Sequence, residues 1–203
     1  MRQADDITDQ FILFSPPKDQ ATKAGLVFFP GAKVQEEAYA PLAEELAQIG
    51  VAVALVRAPL DLPFLLALRP QRVEGAIRAV QADNEDLPLI FGGHSAGGFV
   101  ASRWKDDRMD ELLLVCSRSQ GKPRPEVSGL AIFGDQDGFV DAQERLTTQQ
   151  TLPGLVQKVV RDLDHDFAQG LYGPQPGDPE ISGDASGLAK TVARLVDTEL
   201  LLA

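Results

Sequence analysis

Leu89-Ile90-Phe91-Gly92-Gly93-His94-Ser95-Ala96-Gly97-Gly98-Phe99-Val100 is the stretch on which the reading of this chain turns. Its three leading apolar residues predict a buried strand, its glycines a sharp turn, and Phe99, Val100 and Trp104 a helix directly after it. Within it, Gly93-His94-Ser95-Ala96-Gly97 fits the pattern Gly-x-Ser-x-Gly. A serine on such a strand–turn–helix has a strained backbone and needs small neighbours. Its hydroxyl stands clear of the sheet, and the N–H that follows it points to where charge develops on a reacting carbonyl oxygen. The plainer reading of the same letters is a glycine turn that packs a helix closely on a strand. The five-residue pattern is common by itself; the strand before it and the helix after it favour the chemical reading.

Outward from that turn, apolar runs alternate with helical spacings. Phe11-Ile12-Leu13-Phe14 reads as a strand ended by Ser15-Pro16-Pro17, and Leu26-Val27-Phe28-Phe29 as a buried strand stopped by Pro30-Gly31. Tyr39, Leu42, Leu46 and Ile49 fall at helical spacing, and Gly50 closes that helix. Val51-Ala52-Val53-Ala54-Leu55-Val56 is a further strand, followed by a proline-punctuated stretch over residues 58–70. Val73, Ile77 and Val80 mark a helix. Strands are expected at residues 112–115, 130–133 and 156–160, and helices near 141–150 and 186–202. Continuous apolar strands alternating with helices imply a three-layer α/β fold, a mostly parallel sheet with helices on both faces. No internal repeat or linker divides the chain, so residues 1–203 read as one domain.

A serine hydroxyl needs a general base to become a nucleophile. Only two histidines are present. His94 adjoins Ser95, where neighbouring side chains diverge, so packing or hydrogen bonding beneath the turn suits it better. His165 follows the last expected strand and fits the chain order serine, acid, histidine. For the acid, Gly134-Asp135-Gln136-Asp137-Gly138 follows the strand ending at Phe133. Asp135 and Asp137 are both candidates; Asp137, further into the turn, is favoured, with Asp135 as a residue bonding nearby backbone. Asp164 and Asp166 flank His165 and are expected only to tune local charge. Two backbone N–H groups would hold an oxyanion, assigned to Ala96 and Ala32, with Gly31 as the alternative to Ala32.

These residues together resemble the α/β-hydrolase superfamily, and more narrowly its small bacterial members of the alpha/beta hydrolase fold-5 type. Phe29-Pro30-Gly31-Ala32-Lys33-Val34 with Tyr39-Ala40-Pro41-Leu42-Ala43 resembles that family's oxyanion loop and first helix. Residues 92–98 resemble its nucleophile turn, and Gly134-x-x-Asp137 its acid turn. His165-Asp166-Phe167 with Tyr172-Gly173-Pro174-Gln175-Pro176-Gly177-Asp178 resembles its histidine loop. The likeness spans about residues 24 to 190. It implies an α/β-hydrolase fold and a serine hydrolase with Ser95, Asp137 and His165 as its triad. Pockets in such folds are mostly apolar with few polar anchors, which suits a short-chain carboxylic ester or thioester. Ala96 departs from the bulkier residue the resemblance leads one to expect after the serine, which widens the pocket.

The chain carries a net charge of −11, which argues against nucleic acid and anionic lipid as partners and is most simply a solubility feature. No apolar run approaches the roughly 20 residues that cross a bilayer. The polar opening Met1-Arg2-Gln3-Ala4-Asp5-Asp6 does not read as a secretion signal, and Cys116 is the only cysteine, so a cytoplasmic setting is expected. One cysteine and two histidines make no usual zinc set, and no metal or cofactor is expected. The interval 117–128 is too short for a helical lid. Residues 59–66, apolar and at the catalytic end of a strand, are expected with residues 170–183 to rim an open site, with Gly31, Phe64 and Leu65 as substrate contacts. A small ester-like molecule is the expected partner; the oligomeric state is open. Two other readings stand beside this one. A lactone or carbon–carbon hydrolase like the dienelactone hydrolases would typically use cysteine where Ser95 stands, and a non-catalytic binding protein would have no need of the triad.

Overall fold

The computed structural model describes residues 4–165 and 185–202. Among them, eight strands form one sheet: β1 (Asp6–Ile7), β2 (Phe11–Phe14), β3 (Ala24–Phe29), β4 (Val51–Val56), β5 (Leu89–His94), β6 (Glu111–Val115), β7 (Ser128–Gly134) and β8 (Gly154–Val160). Their order is β1-β2-β4-β3-β5-β6-β7-β8. β1 and β2 are antiparallel to their neighbours, and every pairing from β4 to β8 is parallel. The three-layer α/β-hydrolase fold expected from the sequence is the fold observed.

Side chains alternate along each strand, so each central strand feeds two cores. Leu26 and Phe28 of β3 enter one, with Leu42 and Leu46 of α1 (Ala40–Gln48) and Val192 and Val196 of α5 (Ala185–Val196). Val27 and Phe29 enter the other, with Val73 and Ile77 of α2 (Pro70–Val80), Ala101 of α3 (Ala96–Ala101) and Leu152, which ends α4 (Ala142–Thr151). Pro70 opens α2, where a missing N–H leaves no bond unmade. Asp141 caps α4 by accepting the Glu144 N–H at 2.9 Å. No described helix is long and apolar enough to cross a membrane.

Several boundaries differ from the sequence reading for physical reasons. β1 has two exposed residues and thus no apolar period to read. β3, β6, β7 and β8 begin one or two residues earlier than their apolar runs, on Ala24, Glu111, Ser128 and Gly154, because ladder hydrogen bonds do not require an apolar side chain. Tyr39 lies in a 3-10 turn, Glu36–Tyr39, that leads into α1. The proline-rich stretch folds as two 3-10 turns, Pro59–Asp61 and Pro63–Leu68.

This topology places the site. β3 lies between β4 and β5. The chain leaves β3 for α1 on one face of the sheet and leaves β5 for α3 on the other. Loops that part to opposite faces open a crevice at the carboxyl ends of the two strands. The loops after β7 and β8 reach the same end, and Gly134 holds them together. A Cβ there would lie 1.9 Å from the Leu163 carbonyl oxygen, two residues before His165. Gly134→Ala is expected to destabilise the fold by about 2–3 kcal/mol, because the obstruction is backbone that cannot rotate aside. A lowered urea midpoint at unchanged m-value checks this.

Candidate active site

Ser95 stands between β5 and α3 at φ 51°, ψ −123°, a conformation side-chain-bearing residues avoid, at a cost of about 1–3 kcal/mol. Three hydrogen bonds offset it. The Ser95 N–H donates to the Val115 carbonyl at 3.1 Å, and the Ser95 carbonyl accepts from Phe99 N–H at 3.1 Å and from the Ser117 hydroxyl at 2.7 Å. The turn also needs Gly97, whose Cβ, if present, would lie 2.1 Å from the Phe29 carbonyl oxygen and 2.2 Å from that of Pro30.

Ser95 Oγ lies 2.8 Å from His165 Nε2. On the far side of the ring, His165 Nδ1 lies 3.0 and 3.1 Å from the two Asp137 carboxylate oxygens. Asp137 Oδ1 also accepts the N–H groups of Phe139 and Val140, at 2.8 and 2.9 Å. Burial works to raise the Asp137 pKa, but the His165 ring and these N–H groups outweigh it and hold the carboxyl below its ordinary range. An ionised carboxylate can only accept, so the proton sits on Nδ1 and Nε2 presents its lone pair to Ser95. Asp135 is turned elsewhere and accepts the Asp162 N–H at 2.8 Å, bracing the turn after β8. Cys116 lines the same cavity but is buried, and burial with the nearby Asp137 charge pushes its thiol well up. It stays protonated at neutral pH, the unreactive form of a thiol.

His94 faces away from Ser95 Oγ, into the protein. Its Nε2 lies 2.8 Å from the His165 backbone carbonyl, which can only accept, so Nε2 carries the proton. Its Nδ1 accepts from the Tyr39 hydroxyl at 2.9 Å, and that hydroxyl accepts the Gly31 N–H at 2.8 Å. A directed chain thus runs from the loop after β3, beneath the turn, to the backbone of His165. Burial, then the neighbouring His165 ring, lower the His94 pKa from 6.5 to about 3, so His94 is neutral in the fold.

The chain corrects one expectation. The Gly31 N–H is committed to Tyr39 and is not available as an oxyanion donor. Ala32 follows it, half-buried. Lys33 N–H donates to the Asp61 carbonyl at 2.6 Å, tying this loop to the Pro59–Asp61 turn. Arg57 bridges Glu36 and Glu37 at 3.3 and 2.8 Å and fixes the remainder of the loop. Ala96 opens α3, so its N–H has no partner one turn back in that helix.

A cavity of about 320 Å³ opens above Ser95, Ala96 and His165. Phe64, Phe99 and Phe139 form its apolar walls. The Phe139 ring lies 4.6 Å from that of His165, and Phe64 meets Phe99 edge-on at 6.5 Å. Phe64 was expected here; Gly31 and Leu65 are not part of the described wall. Phe99 and Phe139 escaped the sequence reading, the first because its spacing looks like a helix's buried face. Phe139 sits two residues after Asp137, but nothing in the letters shows that it turns outward. The second expected rim, residues 170–183, lies outside the described residues, as do Asp166 and most of the run that resembles a histidine loop.

A family model described as the alpha/beta hydrolase family matches residues 25–186. Among solved structures, the crystal structure of the esterase domain of a Rhodothermus marinus protein is similar at a TM-score of 0.60 and 15% identity, over 93% of this chain and 92% of that one. At that identity the likeness is one of fold. No curated protein matches the sequence.

Tyr39→Phe strands two buried groups, the Gly31 N–H and His94 Nδ1, and is expected to cost about 2–4 kcal/mol, read by urea unfolding. His94 also sets a pH dependence. The unfolded chain takes up this proton near pH 6.5 and the folded chain only near pH 3, so stability falls as pH falls through that window. Asp137, held low in the fold, adds a loss of the same sign in the carboxylate range. Urea midpoints across pH 7 to 4 should fall more steeply for the wild type than for His94→Gln; equal slopes would refute the assignment.

Proposed function

The chain belongs to the alpha/beta hydrolase family, and from that premise we propose that it is a serine hydrolase cleaving a carboxylic ester or thioester of a small substrate through an acyl-enzyme. The observation that carries the reading is the unbroken line from Ser95 Oγ through His165 to Asp137, with its proton placement fixed by the ionised carboxylate. Ser95 Oγ attacks the carbonyl carbon as its proton passes to His165 Nε2, and Asp137 stabilises the imidazolium. The Ala96 N–H takes one side of the oxyanion. The loop that follows β3 is where the second donor of such a site normally lies, and Ala32 is assigned to the other side. His165 returns the proton to the leaving alcohol or thiol. Water, activated by the same nitrogen, then adds to the acyl-enzyme carbonyl; collapse releases the acid and restores Ser95.

Walls of three phenylalanines and a volume of about 320 Å³ suit a short acyl or aryl group. Phe64 and Phe139 remain exposed at the mouth, so water-soluble esters reach the serine directly.

Ser95→Ala is expected to lower kcat on a short 4-nitrophenyl ester by about ten-thousand-fold or more and to remove labelling by a fluorophosphonate probe. Stability should change by less than about 1 kcal/mol, since one small polar atom is removed. Full turnover by purified Ser95→Ala would overturn the serine mechanism.

A further inference from the structure

The cavity above Ser95 has a neighbour. Gln120 lines it and also lines a larger groove of about 640 Å³. This groove runs between the segment that follows α3 and the crossover from β6 to β7. Parallel neighbours are usually joined through a covering helix. This crossover has none, and the groove lies along it.

Its charge sets it apart from the rest of a chain at −11. Arg103, Lys105, Lys122 and Arg124 line it, with Asp106, Asp107 and Glu126. Arg124 is engaged with Glu126 at 3.1 Å and with the Ser102 carbonyl at 2.6 Å, and Asp106 with Arg108 at 2.8 Å. Arg103, Lys105 and Lys122 are exposed and have no carboxylate partner among the described residues, against the single unpaired carboxylate of Asp107. Arg103 lies over the Phe99 ring, 4.9 Å from its centre, and Phe99 is a wall of the catalytic cavity. A guanidinium held against a ring face keeps its in-plane N–H donors for a ligand. A surplus of cations therefore begins at the wall of the catalytic cavity and continues into the groove that shares Gln120 with it.

We infer that this groove is a subsite for an anionic group of the substrate, a carboxylate or phosphate carried some atoms beyond the scissile carbonyl. The inference rests on the reading of Ser95 as an esterase nucleophile and gives that reading a substrate class: esters or thioesters of small acyl groups that bear an anionic tail. The acidic surface repels such molecules in general, and the groove supplies the local attraction that orients the tail away from Ser95.

Two measurements test it independently. Trp104 is the only tryptophan of the chain and lines the groove, so its emission reports occupancy without catalysis. Inorganic pyrophosphate, titrated at fixed ionic strength, should change that emission saturably. The triple variant Arg103→Gln/Lys105→Gln/Lys122→Gln should bind about tenfold more weakly, as expected for the loss of a few exposed ionic contacts. In the second measurement, kcat/KM is compared within two ester pairs that differ only by a terminal carboxylate, on the acyl side in one pair and the alcohol side in the other. The wild type should favour the charged member of at least one pair, and the triple variant should lose about tenfold of that ratio. Lys122→Glu alone, on an exposed residue, should shift the ratio the same way if the triple variant does not fold. Neutral esters turned over with no charge preference, or with a preference the variants leave unchanged, would overturn the subsite and leave the hydrolase intact. If the wild type cleaves no ester, the esterase reading falls and the Trp104 titration alone decides the groove: saturable, charge-dependent binding supports an anion site, and its absence overturns it.

Discussion

The rest of the site depends on a close approach between the turn at Ser95 and the end of β3. Gly97 leaves no room for even a methyl group against the carbonyls of Phe29 and Pro30. That contact fixes how far the first turn of α3 lies from the loop that follows β3, and so the distance between the Ala96 N–H and the Ala32 region. Loops are ordinarily the softest parts of a fold. Here two of them are set against each other with backbone touching backbone, and a strained Ser95 is held in place by Val115 of β6 and by Ser117, two residues beyond it.

The same economy governs His165. Its ring is held by Asp137 and its backbone carbonyl by His94. His94 precedes Ser95 directly, so the residue beneath the serine positions the residue that faces it. The bond directions leave little freedom. A carbonyl must accept, which fixes the His94 tautomer, and this makes Tyr39 a donor to His94 and an acceptor from Gly31. Protonating His94 would place a charge on a fully buried ring and turn its Nδ1 from an acceptor of the Tyr39 hydroxyl into a donor, and burial is the largest cause of its lowered pKa.

Much of this was legible in the letters because each element announces itself locally. Six apolar residues in a row at Val51–Val56, short and flanked by Gly50 and a proline-punctuated stretch, read as a strand buried on both faces. Gly93-x-Ser95-x-Gly97 carries its turn with it. Ser95 by its motif, His165 by elimination and chain order, and Asp137 by its place in the turn are the side chains expected, and they meet. What stayed hidden depends on contacts between distant segments. Tyr39 has helical spacing and is apolar in bulk, so its letters say core; only the packing of residue 39 under residue 94 reveals that its hydroxyl does polar work. Nothing in the letters shows that the Gly31 N–H is taken up by the Tyr39 hydroxyl. Phe139 and Lys122 read as ordinary loop residues, and Arg103 as part of the helix marked by Phe99, Val100 and Trp104, until the sheet order brings them to one end.

The crossover after β6 shows how a wall with no helix of its own is anchored. A helix between β6 and β7 would satisfy its own backbone; an extended crossover cannot, and must find partners elsewhere. It finds them on its neighbours. The Ser119 N–H donates to the Thr148 hydroxyl at 3.0 Å, and the Arg124 N–H to the Thr151 carbonyl at 2.7 Å, both on α4. Arg124 reaches the other way to the Ser102 carbonyl at the end of α3. Arg118 pairs with Glu144, again on α4. The segment is thus strung between the two helices that flank it, with Ser117 tied to Ser95 at its start. Polar anchors at this density explain why residues 117–128 are so poor in apolar side chains. Cavity and groove alike are bounded by a crossover that its neighbours' hydrogen bonds hold still.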